Sequence, residues 1–218
     1  HCEFRTSRAL RLWPLQVRHA QYFTYAPDLP LNKHAQAREI RGGLRIGLHA
    51  GAGLDFSRLA LDELVVHLGG AEDVAWQLYE CLLARPVGVL VQPLGANGQP
   101  TAASAGAIRQ LPASSVQPLG FEEDEALLPV TATGFSGHRL VQEYFAFAQR
   151  FQFVSITGLR EVLRKMAVPD VEIVVLFSRG DAALEKLVSA DNIQLHCVPA
   201  VNLFTKRLDR VAVNEGVS

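Results

Sequence analysis

The sequence predicts an α+β fold, mostly antiparallel β-sheet in sandwich-like lobes, with about three to four short helices. Three observations carry that prediction. Apolar residues alternate with period two in the first half, at Leu44, Ile46 and Leu48 and within "LALDELVVHL" (Leu59–Leu68). After Gly69 and Gly70 the spacing turns helical for a single segment. The second half then alternates helix with strand to near its end. A chain of 218 residues can bury a sizeable core, and 49% hydrophobic with 20% charged residues is ordinary for a folded protein.

Taken in order, Leu10 to Tyr25 reads as extended and broken near Pro14, and "YAPDLPLNKHAQAREIRGG" as a polar loop whose prolines discourage regular structure. "AEDVAWQLYECLLARP" is a helix. Glu72 and Asp73 suit the positive end of its dipole, Val74, Leu78, Cys81 and Leu82 share a face, and Arg85-Pro86 closes it. "VGVLVQPL" is a short buried strand, and Gly95–Ser115, rich in Gly, Ala, Pro and Ser, a mobile loop or lobe connection. Then come Gly137–Ala148 (helix), Phe151–Thr157 (strand), Leu159–Met166 (helix), Val171–Phe177 (strand), Ala182–Val188 (helix) and Ile193–Val201 (strand), with a last extended piece over Arg207–Val213. The expected organisation is a β-rich lobe with one helix over residues 1–118 and an α+β lobe over 119–218. A single continuous α+β domain is the alternative.

Composition removes several functional classes. With 21 basic against 22 acidic residues the net charge is -1, so no global field draws in nucleic acid or an anionic membrane. Arginine outnumbers lysine 17 to 4, a mild lean towards directed ion pairs. Cys2, Cys81 and Cys197 are odd in number and widely spaced, which gives neither a disulfide framework nor a zinc ribbon and suits a reducing compartment. No apolar run approaches the roughly 18 residues of a membrane span. The chain begins without Met or a signal-peptide layout, and is expected to be an internal piece of a longer protein.

Five of the 17 aromatic residues fall between Tyr144 and Phe153 in "LVQEYFAFAQRFQFVSITGL". At 100° per residue Leu140, Val141, Tyr144, Phe145, Phe147, Ala148 and Phe151 share one arc, with Arg139, Gln142, Glu143, Gln149 and Arg150 opposite. Beyond Arg150 the period becomes two. Core packing at a helix–strand corner is the expectation, a partner-binding groove the second reading, and a small-molecule pocket the third, because no polar groups converge on the aromatic side.

No catalytic constellation emerges. In "TGFSGHRL" Gly137 directly follows Ser136, which is wrong for a nucleophile elbow, so Ser136 is expected to cap the aromatic helix. Glu122, Glu123, Asp124 and Glu125 are consecutive and cannot all face one calcium ion. They are expected to form a solvated acidic loop, and they are the candidate contacts for a basic patch on a partner, beside the exposed Gly95–Ser115 loop. His196 and Cys197 are adjacent on an expected strand and would point to opposite faces, so no metal site is assigned. The glycines of "RGGLRIG" and "HAGAGLD" open no helix and cradle no phosphate. No cofactor is expected.

The ordered segments "LLPVTATGFSGHRLVQEYFAFAQRFQFVSITGL", "VEIVVLFSR", "SADNIQLHCVPAVNLF" and "KRLDRV" resemble the signature region of TssF, also called VasA or ImpG, and "RLWPLQV" and "LGGAEDVAWQLYECLL" add to the likeness. The family's "QEYFAFP" stands here as Gln142 to Ala148, with Ala148 where proline is common, and its "CTPVVNLF" as Cys197 to Phe204 with Val198 and Ala200 substituted. Alanine at 148 should let the helix run further before the strand. The resemblance implies a structural, non-enzymatic subunit of the type VI secretion baseplate. It would resemble phage-tail wedge proteins and assemble with TssG and TssK on the cytoplasmic side of the inner membrane to support the sheath. The competing reading is a β-rich module that binds a small ligand such as a carbohydrate, with an exposed Trp or Tyr on a sheet face.

Overall fold

The computed structural model describes residues 3–95, 97–100, 106–130 and 135–202. Among them the strands are β1 (Arg5–Thr6), β2 (Leu15–Phe23), β3 (Gly42–Ala50), β4 (Leu64–Leu68), β5 (Pro86–Pro93), β6 (Arg109–Pro112), β7 (Val116–Pro118), β8 (Phe153–Ile156), β9 (Asp170–Phe177), β10 (Ile193–Gln194) and β11 (Ala200–Val201). The helices are α1 (Glu72–Ala84), α2 (Ser136–Ala146), α3 (Arg160–Leu163) and α4 (Leu184–Leu187). The strands build a five-stranded sheet in the order β2-β3-β9-β5-β6, a four-stranded sheet β10-β4-β8-β7 and the two-stranded pair β1-β11. Every pairing is antiparallel. The α+β class expected from the sequence is the class observed.

The five-stranded sheet is organised by β9, which lies between β3 and β5 although it is the last of the five in sequence. Its eight residues are all buried, because it is covered on both faces. Val171, Ile173, Val175 and Phe177 face the main core, while Val174 and Leu176 face a smaller cluster. Beside it, Leu44, Ile46, Leu48 and Ala50 of β3 point into the main core and the alternate residues point the other way. Gly47 is needed on that other face, since a Cβ there would run into the His19 ring reaching across from β2. The "polar loop" of residues 25–43 lines the smaller cluster with Ala26, Leu29, Leu31 and Ile40, against Phe23, Val87 and Leu90 of the sheet.

Helix α1 lies between the two larger sheets and touches β4 and β7 of one and β5 and β9 of the other. Val74, Ala75, Leu78 and Leu82 form its buried face, and Glu72 and Asp73 stand in its first turn, as the spacing predicts. Each fully buried Leu or Val contributes on the order of 1.5–3 kcal/mol of transfer free energy. Leu68, Val154, Ile156, Leu159 and Leu163 complete a core that both sheets share. β9 joins β3 and β5, and β8 joins β4 and β7, so both sheets draw strands from either side of the 118/119 boundary. β pairing thus joins segments far apart in sequence.

Departures from the expected elements are local. Gly95–Ser115 contains β6 and a 3₁₀ turn at Ala113–Ser115, placed by pairing with β5. The helices expected at Leu159–Met166 and Ala182–Val188 shrink to the four-residue α3 and α4. The strand expected over Ile193–Val201 is two separate pairs of residues, interrupted by His196 at φ 60. The extended piece at Arg207–Val213 lies outside the described residues.

Candidate protein interaction surface

Helix α2 has the two faces the sequence predicts, but it presents them the other way round. The charged face is the buried one: Glu143 is 2% exposed and Arg150 is fully buried, with Arg139 close behind. The apolar face meets solvent: Phe145 is 83% exposed and Phe135 73%, and Val141, Tyr144 and Phe147 are exposed as well. The expectation of core packing therefore holds for Phe151 and Phe153, both buried, and fails for the helix.

Burying three ionised side chains is tolerable only if each is paired and hydrogen-bonded. Glu143 meets that requirement. Its Oε1 accepts from the backbone N–H of Leu127 (3.1 Å) and Leu128 (2.9 Å), and its Oε2 faces Arg139 (Nη1, 3.2 Å) and pairs with Arg150. Arg139 Nη2 donates to the carbonyls of Phe121 (3.3 Å) and Glu122 (3.5 Å), and Arg150 Nη2 to that of Glu125 (2.9 Å). Arg150 also lies over the Phe151 ring at 4.5 Å. Burial and the neighbouring charge of Arg139 pull its pKa down to about 10, so it remains a cation at neutral pH. No residue of segment 121–128 pairs in a sheet, and Arg139, Glu143, Arg150 and Arg5 supply partners to its backbone.

The acidic run divides accordingly. Glu125 is buried, bonded to Arg8 (3.2 Å) and to the backbone N–H of Gly120, whose φ of +97 is the left-handed conformation that favours glycine. It is therefore not part of a solvated loop. Glu122, Glu123 and Asp124 are exposed and make no side-chain ion pair among the described residues. Arg139, on the buried face of α2, holds the start of this run through the carbonyls of Phe121 and Glu122. Glu122 and Asp124 line an open groove of about 930 Å³ together with Arg8, Arg11, Trp13, Asp62 and Glu63.

The aromatic surface continues beyond α2. Tyr144 stands 5.6 Å from Phe145, 6.2 Å from Phe151 and 6.3 Å from Trp76, which packs edge-on against Tyr79 at 5.5 Å (ring centroids). Trp76 and Tyr79 are the half-buried side of α1, a contribution the sequence reading missed. The helix itself begins at Ser136, so Phe135 and not Ser136 takes the cap position. It ends at Ala146 despite the alanine at 148: Phe147 leaves helical geometry at φ -159, ψ 76, and a 3₁₀ turn follows at Ala148–Phe151.

A second polar cluster lies on the five-stranded sheet. Glu172 is 2% exposed and accepts from Gln92 (2.7 Å) and Arg45 (3.1 Å), with His19 Nε2 at 3.1 Å; His49 meets Asp170 at 2.8 Å. Its carboxylate is saturated by three protein groups, which makes it a strut of the sheet. Among the described residues no three His, Cys, Asp or Glu side chains are grouped to hold a metal ion, and no helix is long and apolar enough to cross a membrane. His196 and Cys197 stand in irregular backbone, with Cys197 Sγ 3.5 Å from the Leu195 carbonyl. The argument from strand alternation does not apply to them.

The sequence and fold comparisons agree with one another. A family model described as "Type VI secretion system, TssF" matches residues 1–218. The type VI secretion system component TssF1 of Pseudomonas aeruginosa is 39% identical over 217 residues, which are 100% of this chain and 34% of that protein. A chain of the type VI secretion TssK-TssF-TssG baseplate subcomplex, solved by cryo-electron microscopy, superposes on 98% of this chain and 36% of its own length, with a TM-score of 0.69 and 29% identity. The chain thus spans about a third of the length of these relatives.

Proposed function

The chain belongs to the TssF family of type VI secretion systems, and on that premise we propose that it is a structural part of the baseplate wedge, assembling with TssG and TssK to support the sheath. The observation that carries this reading is the likeness, over nearly the whole chain, to a chain of the TssK-TssF-TssG subcomplex. The exposed aromatic face of α2 accords with it, since proteins built for assembly offer apolar surface that a solitary protein would bury. In this reading the chain is not a catalyst, and it works at the cytoplasmic side of the inner membrane. Glu122, Glu123 and Asp124 are offered as contacts for a basic partner surface, whereas Glu125 is engaged within the chain. Nothing in the comparisons supports the alternative of a carbohydrate-binding module.

The test is co-purification of the 218-residue chain, and in parallel of the full-length family member that carries it, with TssG and TssK of the same bacterium. Retention of both partners by the full-length protein is expected, and retention by the shorter chain locates contacts within these residues. If folded full-length protein holds neither partner, the baseplate reading is lost.

A further inference from the structure

We propose that the β1–β11 pair is a latch for α2. Closed, this strap holds segment 121–128 and through it the helix; its opening releases the helix from its seat while the two larger sheets stay folded.

The attachment of α2 is the first support. No side chain of the helix belongs to either hydrophobic core cluster. Leu140 is half-buried, and Val141, Tyr144, Phe145 and Ala146 are exposed. The seat is polar instead: Arg139, Glu143 and, just past the helix end, Arg150 bond to one another and to the backbone of segment 121–128. That seat is also under-bonded. Arg8, Arg139 and Arg150 stand against Glu125 and Glu143, which leaves a surplus of positive charge. Arg8 Nη2, Arg139 Nε and Arg150 Nε are buried without a hydrogen-bond partner among the described residues, and each such donor raises the free energy of the closed state. An element without apolar anchorage opens at a lower free energy than the core strands.

The route from the strap to the helix is the second support. Arg5, on β1, donates to the carbonyl of Leu127 (2.6 Å), and the N–H of Leu127 donates to Glu143 (3.1 Å). Arg8 bonds to the carboxylate of Glu125 (3.2 Å), the carbonyl of Glu125 accepts from Arg150 (2.9 Å), and Arg150 pairs with Glu143. Between the two arginines, the N–H of Ser7 donates to the carbonyl of Pro199 (2.9 Å), so the strap sets the position of both. The strap itself is slight. It pairs two residues of each strand, none of them buried, and a two-stranded ribbon is marginal by itself. Within segment 121–128 only Leu127 adds a buried apolar side chain. Arg5 and Leu127 are 122 residues apart in sequence, so the placement of the aromatic helix is governed from the far end of the described chain.

Hydrogen exchange followed by mass spectrometry, on the full-length family member that carries this chain, tests the latch. In the wild type the amides of α2 should exchange faster than those of β3 and β9. Replacing both arginines, Arg5→Gln with Arg8→Gln, should speed exchange in α2 about tenfold or more and leave β3 and β9 unchanged. The side chain of Arg5 is exposed, so Arg5→Gln alone keeps the fold even if the double variant does not, and should give about a threefold rise in α2. Arg18→Gln, at an exposed arginine of β2 away from the strap, should change nothing. The proposal is overturned if wild-type α2 is as protected as β9, or if Arg5→Gln leaves α2 unchanged. A rise shared equally by β3 and β9, or matched by Arg18→Gln, overturns it too.

Discussion

Strand β9 and helix α2 are both amphipathic or apolar by sequence and both carry a buried glutamate, yet they stand in the molecule in opposite ways. In β9 the apolar side chains fill the core on both sides of the sheet, and Glu172 is carried inward with them, held by Gln92, Arg45 and His19. In α2 the glutamate goes inward and the apolar side chains stay out. The difference teaches that burial follows the whole set of partners on offer, not hydrophobicity alone. The space beneath α2 is bounded by backbone carbonyls and N–H groups of segment 121–128, and Glu143, Arg139 and Arg150 bond to several of them, which apolar side chains could not do.

If that account is right, the largest effect belongs to Glu143. Glu143→Ala strands Arg139 and Arg150 together and frees two backbone N–H groups, and should cost about 3–5 kcal/mol in urea unfolding. A loss below about 1 kcal/mol would mean the inward charges are incidental. In β9, Ile173→Ala opens a cavity in the core and should cost about 2–5 kcal/mol by the same measurement. A smaller loss, about 1–3 kcal/mol, is expected for Gly47→Val, which forces the His19 ring off Glu172.

Alkali should act on the buried tyrosines and on Arg150 with opposite sign. Tyr22 on β2 and Tyr79 on α1 are raised by burial from 10.0 to about 12, so the stability they lend is present below pH 10 and lost as pH rises through 12. Arg150 is lowered to about 10, chiefly by burial, so above that pH the unfolded chain holds the extra proton and folding gains as pH rises. Unfolding curves at increasing alkaline pH should therefore fall for the wild type and fall less for the Tyr22→Phe, Tyr79→Phe double variant. The smallest effect is expected at the exposed face: Phe145→Ser should change stability by no more than about 0.5 kcal/mol. A loss of several times that would show that Phe145 is part of the core after all.

Much of this was legible in the residues themselves. Period two marked β3 and β4, the apolar run 171–177 marked β9, and the spacing of Val74, Leu78 and Leu82 marked α1 and its inner face. Each of these signals is local, because a strand or helix that buries one face must repeat its apolar residues at its own period. The two faces of α2 were equally visible. Their direction was not, although the opposite charges of Arg139 and Glu143, four residues apart, offered a weak hint that the charged face could neutralise itself and be buried.

What only the tertiary structure decided is which distant segments meet. Nothing in residues 170–177 says that they enter between β3 and β5, and nothing in 121–128 says that its backbone will take its partners from Glu143, Arg139 and Arg150. Sequence periodicity reports how an element divides into faces. The choice of the inward face depends on hydrogen-bond partners far away in the chain, and those are known only once the chain has folded.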